Sequence, residues 1–228
     1  MQQTLSVIIP TFNEEQVLEE TIISLKKLQG IKEIIIADGG STDNTCLIAS
    51  LHNDIKFITA KKGRAQQMNC GAQNASGDIL LFLHADTKIS QAAINEIYAV
   101  VGNNKVVAGA FKIRFDNNAY IYKLIALTSN LRARWLKIFF GDQGIFVLKD
   151  IFEKINGFPV IAIMEELPFI KLVKRHGKLK LLDNTLSTSS RRFQKHGVWK
   201  TLFLMHKLKL LYYLGINPTI LKTKYNDK

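Results

Sequence analysis

Ile79-Leu80-Leu81-Phe82-Leu83-His84-Ala85-Asp86-Thr87 is the stretch that decides the fold. Its five consecutive apolar residues predict a strand covered on both faces, the pattern of a parallel sheet packed between helices. The strand runs directly into His84, Ala85 and Asp86. It would therefore deliver a carboxylate to the mouth of the sheet, where open α/β sheets take their ligands.

Upstream of it, strands and helices alternate. Leu5 to Pro10 reads as a first strand, β-branched and apolar, stopped by Pro10. Val17, Leu18, Ile22, Leu25 and Leu28 follow at helical spacing, with Asn13 as the cap, Gln16 at the capping-box position and Gly30 as the stop. Lys32 to Asp38 is a second strand, again ending in an acid, and Gly39 to Asp43 is a tight loop into a helix capped by Ser41 or Asp43. Ile55 to Ile58 is a third strand, Arg64 to Ala75 a third helix, and Gly77-Asp78 turns the chain into the opening stretch. This order predicts an open, mostly parallel α/β sheet with helices on both faces.

Downstream, the pattern predicts a helix near Gln91 to Val101, a long strand from Val106 to Phe115 and a helix from Asn118 to Arg134 that is basic near its end. A strand at Ile145 to Leu148, short helices at Lys149 to Ile155 and Glu165 to His176, and a last short strand at Leu179 to Leu182 follow. A basic, aromatic helix from Val198 to Leu214 comes last. Its basic residues do not gather on one face, so it either packs on the domain or lies in the headgroup zone of an acidic membrane. Trp135, Phe139 and Phe140 read as core, with an acceptor path as the alternative.

The 228 residues suffice for one sizeable domain, with no repeat or linker. Lys plus Arg exceed Asp plus Glu by 12, so the surface attracts anions such as phosphates or acidic lipid. No nucleic-acid module is recognisable, which makes nucleic acid an unfavoured partner. Cys46 and Cys70 make no metal-type pair and fit a reducing compartment. Met1-Gln2-Gln3-Thr4 has neither a basic nor a long apolar region, so the cytoplasm is expected, with the inner face of the plasma membrane as a peripheral location. Disorder is expected only in the last few residues.

Neither G-x-x-x-x-G-K-[ST] nor G-x-G-x-x-G occurs in the N-terminal half. Instead, Asp38 and Asp86 close strands and Glu14 and Glu15 follow the first one. Acids at these ends would repel a diphosphate unless a divalent cation lay between them. A metal-bridged nucleotide diphosphate reconciles the two.

Three segments, Ser6 to Glu15 (SVIIPTFNEE), Ile36 to Thr45 (IADGGSTDNT) and Gly77 to Asp86 (GDILLFLHAD), resemble the signature of family 2 glycosyltransferases. The resemblance covers about residues 4 to 195. Lys62 to Asn69 and Gly141 to Phe146 further resemble a bacterial subfamily of small, single-domain members. It implies the GT-A fold: a Rossmann-like, mostly parallel sheet with a nucleotide-sugar half at about 4–115, an acceptor half at about 116–195, and a C-terminal helix and tail at about 196–228, all one domain over 1–228.

The resemblance also implies roles. The loop with Pro10, Thr11, Asn13 and Glu14 would line base and ribose. Asp38, with Gly39, would hold the base edge, and Arg64 and Asn69 would flank the nucleotide. Asp86 would be the metal-binding acid of a D-x-D motif, here His84-Ala85-Asp86, holding Mg²⁺ or Mn²⁺. His84 departs from the motif's first acid; a neutral imidazole can hydrogen-bond a ribose or ligate a metal. Glu166 stands where the family carries its general base, usually an Asp, with Glu165 beside it. Two acids at a helix start are also favoured by its dipole without any chemistry. Arg191 and Arg192 would pair with the leaving diphosphate, and Phe193 would close over sugar or acceptor; the plain alternative is a solvated basic loop. Asp142 and Gln143 would orient the acceptor, with a plain turn as the alternative.

The expectation is a metal-dependent inverting glycosyltransferase. It would move a sugar from a nucleotide-diphosphate sugar to an acceptor hydroxyl, on a lipid or lipid-linked molecule. A sugar nucleotidyltransferase would need a Gly-rich basic loop after the first strand, which Pro10 to Glu14 is not. The rival from another class is a catalytically degenerate relative that binds acidic membrane surfaces or anionic ligands.

Overall fold

The computed structural model describes residues 3–103 and 106–226. Met1 and Gln2 of the expected leaderless start and the last two residues of the expected tail lie outside the described residues.

Seven strands form one sheet in the order β3-β2-β1-β4-β6-β5-β7. β1 (Leu5–Thr11), β2 (Ile31–Asp38), β3 (Lys56–Thr59) and β4 (Ile79–Phe82) pair in parallel. β6 (Ile145–Leu148) lies antiparallel between β4 and β5 (Val106–Phe115), and β7 (Lys178–Thr188) pairs parallel to β5. Six strands therefore share one direction and β6 opposes them, as a mostly parallel α/β sheet requires.

Every side chain of β4 is buried, which is what its unbroken apolar run predicted. One face of the sheet packs on α1 (Leu18–Lys26) and α4 (Gln91–Asn103) through Leu18, Ile22, Ile94 and Ile97. The other packs on α3 (Arg64–Gln73) and α7 (Glu166–Val173) through Met68, Ala72, Phe169 and Val173. Burying both faces at about 25 cal/mol per Å² of apolar area is the main stabilising term.

Two expectations and one alternative reading need correction. Asn13 does not cap α1, whose cap position is Val17 with no side-chain bond. Asn13 instead adopts a left-handed backbone, and its side-chain oxygen accepts a bond from the Thr42 N–H, tying two loops together. The last strand runs to Thr188, well beyond Leu182. Its polar residues Asp183 and Asn184 fall where the β5 register shifts, from Phe111 opposite Leu182 to Lys112 opposite Thr185. Their N–H groups donate to the Glu96 carboxylate at 2.8 and 2.9 Å. Finally, Arg191–His196 is a short helix, α8, not a loop. α2 (Thr45–Ser50), α5 (Tyr120–Leu136), α6 (Lys149–Lys154), α9 (Val198–Tyr213) and α10 (Pro218–Asn226) complete the chain.

Two features position the site. Because β6 is reversed, with Phe82 opposite Ile145, the turn at Gly141–Gln143 lies at the same sheet edge as His84 to Asp86. Because β7 is long and bridges Lys88 at Ser187, it carries Arg191 back over the mouth of β1.

Candidate active site

The crevice opens at the C-terminal ends of β1, β2 and β4. Its floor is tied by Gln67, which is buried and donates from Nε2 to the Thr11 and Ala37 carbonyls at 2.6 and 3.1 Å. Asp38 is buried beneath the 39–43 loop. Its oxygens accept from the Gly40 and Ser41 N–H groups, both at 2.8 Å, and from the Ser41 and Thr11 hydroxyls. Burial opposes its charge, but these donors outweigh it and hold the carboxyl below its usual range. The Asp38 carboxylate thus shapes the loop. Thr11 and Ala85 are buried too, and Gly39 donates to the Thr11 carbonyl at 2.9 Å. Pro10 and Glu14 remain on the crevice wall.

Two pairs of carboxylates face the crevice, each served by one arginine. In the first, Arg191 reaches Glu14 at 3.4 Å. Burial pushes the Glu14 carboxyl up; Arg191 opposes this and the charge of Asp86 adds to it. Burial likewise pushes Asp86 up, against Arg191. In the second, Arg64 lies 3.6 Å from Glu165 and 3.4 Å from Glu166. Both acids are about 5% exposed or less. Burial and then the neighbouring Glu166 charge push Glu165 up to about 7, although Arg64 pulls it down. Glu166 also accepts the Gly141 N–H at 3.1 Å. A helix dipole alone would not bury two like charges, so this pair carries the mark of a functional site.

Arg64 is the hub. Its guanidinium also bonds His84 Nε2. Arginine only donates, so Nε2 accepts and the ring proton sits on Nδ1. Burial and the Arg64 charge hold His84 well below its usual range, so the imidazole is neutral. Gly141 makes room for this: a Cβ there would fall on the guanidinium. Asp142 follows, its Oδ1 buried with no hydrogen-bond partner and its carboxyl pushed up by burial against Arg132 and Arg64.

Other expected site residues are placed elsewhere. Asn69 exchanges two 2.8 Å bonds with the backbone of Phe158, so it clamps a loop. Gln143 is fully buried, accepting from Arg132 at 2.8 Å and donating to the Phe111 carbonyl. Phe193 is 7% exposed and packs in T-shaped contact with Phe115 and Tyr122, inside the apolar cluster between α5 and α9. Arg192 is half-buried, and burial lowers its pKa. Phe139 is core as expected, whereas Trp135 is 78% exposed. Gln67 and Gly141 lie in the segments Lys62 to Asn69 and Gly141 to Phe146 that the sequence marked out, but were given no role there, and Arg132 was not named.

No group of three or more His, Cys, Asp or Glu able to hold a metal ion occurs among the described residues. A cation that takes its remaining oxygens from a diphosphate needs only one or two carboxylates. Asp86 fits that demand: it is an oxygen donor, half-buried, and its charge is only partly offset by Arg191.

A family model described as Glycosyl transferase family 2 matches residues 6–161. The chain is 26% identical over 225 residues to a dolichol-phosphate mannosyltransferase of Pyrococcus furiosus, covering 86% of this chain and 64% of that protein. It is 35% identical over 119 residues to a GalNAc(5)-diNAcBac-PP-undecaprenol beta-1,3-glucosyltransferase of Campylobacter jejuni, covering 45% and 38%. The chain thus spans less than two thirds of the length of both relatives. Mannosyltransferase PcManGT from Pyrobaculum calidifontis, solved with GDP-Man and Mn²⁺, shares the fold at TM-score 0.70 and 17% identity over 98% of this chain and 69% of that one. Glucosyl-3-phosphoglycerate synthase from Mycobacterium tuberculosis does so at 0.65 and 19%, over 94% and 81%.

Proposed function

Since the chain belongs to glycosyl transferase family 2 and has its GT-A fold, we propose that it is an inverting glycosyltransferase using a nucleotide-diphosphate sugar and a divalent cation. The observation that carries this is the buried Glu165–Glu166 pair around Arg64, across the crevice from Asp86. The relatives named for dolichol-phosphate and undecaprenol substrates support a lipid or lipid-linked acceptor. One continuous sheet supports reading the described residues as a single transferase domain.

The donor's nucleotide lies along the loops after β1 and β2, with Glu14 on its ribose side. Asp86 holds the cation, Mg²⁺ or Mn²⁺, which when bound offsets the charge of the departing diphosphate. Arg191 adds a second positive charge at that end once it leaves Glu14. Glu166 is the base. It takes the proton of the acceptor hydroxyl as that oxygen bonds the anomeric carbon and the bond to the diphosphate breaks. Arg64 lies beside both acids, and Glu165, its carboxyl pushed up to about 7 and so about half protonated at pH 7, lessens the pair's repulsion. Asp142, whose buried Oδ1 has no partner, lies on the acceptor side of the site.

A panel of nucleotide sugars with Mg²⁺, Mn²⁺ or chelator, read by thermal shift, identifies the donor, since a ligand of the native state raises the melting temperature. Glu166→Gln should abolish transfer, by about 100-fold or more, and keep the donor's thermal shift. Asp86→Asn should remove the metal-dependent part of that shift. A Glu166→Gln variant that still transferred sugar would overturn the assignment of the base. The capture of His84 by Arg64 favours one second reading, a binding protein without turnover; it requires that no donor be hydrolysed with any metal.

A further inference from the structure

α5 leaves Tyr120, Leu124, Leu127, Leu131 and Trp135 exposed, with Tyr120 at 81% and Trp135 at 78%. Steps of three and four residues put these on one stripe of the helix. On α9, Trp199, Phe203 and Leu210 are exposed at 75%, 71% and 61%, again one stripe. The two stripes gain their meaning from how the helices pack together. Val198, Leu202 and Met205 of α9 pack on a cluster containing Tyr122 and Ile125 of α5, and Arg132 and Lys209 both sit over the Phe140 ring at 4.5 and 4.8 Å. Early residues meet early residues and late meet late, so the helices run in the same direction. The exposed stripe of α5 lies about 100° behind its α9-facing side and that of α9 about 100° ahead of its own. For two right-handed helices running in the same direction, those rotations bring both stripes to the same side. They form one apolar face.

Its charges are arranged around it. Lys123 and Arg134 border the α5 stripe on the side away from α9, and Lys200 and Lys207 border the α9 stripe on the side away from α5. All four are exposed. No Asp or Glu occurs between Asp116 and Asp142, nor between Asp183 and Asp227. Both helices therefore lack any carboxylate, in a chain that carries 19. A second copy of the chain would set cations against cations there. An anionic bilayer supplies what this surface lacks: acyl chains for the stripe, headgroups for the lysines, and an interface that Trp and Tyr prefer. No helix among the described residues is long and apolar enough to cross a membrane, so the pair would lie in the interface plane.

We infer that the joint α5–α9 face docks the protein on an anionic lipid surface. Gly141 and Asp142 follow directly on Phe140, between the ends of the two helices, so the docked surface adjoins the acceptor side of the crevice. The inference goes beyond the transfer reading and stands without it.

The two tryptophans of the chain, Trp135 and Trp199, both lie on this face, so its tryptophan fluorescence reports the face alone. The test mixes the full chain with vesicles of phosphatidylcholine, with and without phosphatidylglycerol, and reads sedimentation and emission wavelength. The expected result is co-sedimentation and a blue shift with anionic vesicles, weakening as salt rises from about 0.05 to 0.5 M. Leu127→Glu combined with Phe203→Glu should weaken binding roughly tenfold or more, with melting temperature and donor thermal shift unchanged. Three results would overturn the inference: no binding to anionic vesicles, equal binding by the double variant, or a self-associated protein whose oligomers the double variant disperses. Because donor binding is measured separately, a dead crevice and a non-binding face give different results.

Discussion

Glu165 and Glu166 are neighbours in sequence, both buried, and they share Arg64. Such a pair releases its protons in two coupled steps, and burial places one of them at about 7. Transfer at low substrate should therefore rise with pH through about 7 in the wild type. In Glu165→Gln the neighbour's charge is gone, and that rise near neutrality should disappear from the kcat/KM profile. A profile unchanged by the substitution would mean that Glu165 does not touch the reacting protons. At this scale the sequence revealed the acids, because each follows a strand end or opens a helix. It hid their wiring. Arg64 reads as a nucleotide contact in its local motif, and only folding brings it to residues a hundred positions later.

The loop between α6 and α7 aims the acid pair, and one residue anchors it. Asn69, on α3, both donates to the Phe158 carbonyl and accepts the Phe158 N–H, while Phe158 stacks on Phe169 of α7 at 3.9 Å. Asn69→Ala leaves two backbone groups of a half-buried loop unpaired, at a cost of about 1–3 kcal/mol. It should lower kcat more than it raises the donor KM, since the donor loops after β1 and β2 do not depend on Phe158. A donor KM that rose with kcat unchanged would put Asn69 at the nucleotide after all. Elements with unbroken apolar runs, β1, β2 and β4, were legible because burial on both faces leaves no other pattern. β7 was not, since Asp183 and Asn184 read as a strand end when a register shift and the Glu96 carboxylate accommodate them. Asn13 was misread because a left-handed turn between loops uses the same side chain as a helix cap.

Across the whole molecule, the direction of the pKa shifts sorts the acids. Glu14, Asp86, Asp142 and Glu165, all at the crevice, are pushed up, burial being the first cause in each. Asp78 and Asp183 are held down, chiefly by hydrogen bonds from Thr4 and Lys112, while Glu33 and Asp38 are held down despite their burial. A lowered carboxyl stabilises the fold above its unfolded pKa, and that contribution is lost as pH falls through the folded value. A raised one favours the folded state at low pH, and this is lost as pH rises from the unfolded value to the folded one. The two groups together should place maximal stability near pH 5, far from the sequence pI of 9.7. Melting temperatures should fall on both sides of it. Glu165→Gln should flatten the decline between about pH 5 and 8 by up to about 3 kcal/mol. A melting temperature that kept rising to pH 8 would contradict the assignment.

The reversed strand has a practical consequence. Between Ile145 and Leu148 the chain travels from the reacting edge of the sheet to the opposite one, where the Lys149 N–H is pinned to the Asp78 carbonyl at 2.8 Å. It then returns through α6 to Glu165. The exposed start of α6, at Asp150, is thus the part of this excursion most distant from the chemistry although it is close to it in sequence. A dye or an immobilising linker attached there would hold the molecule by its back and leave the crevice turned toward whatever is brought to it.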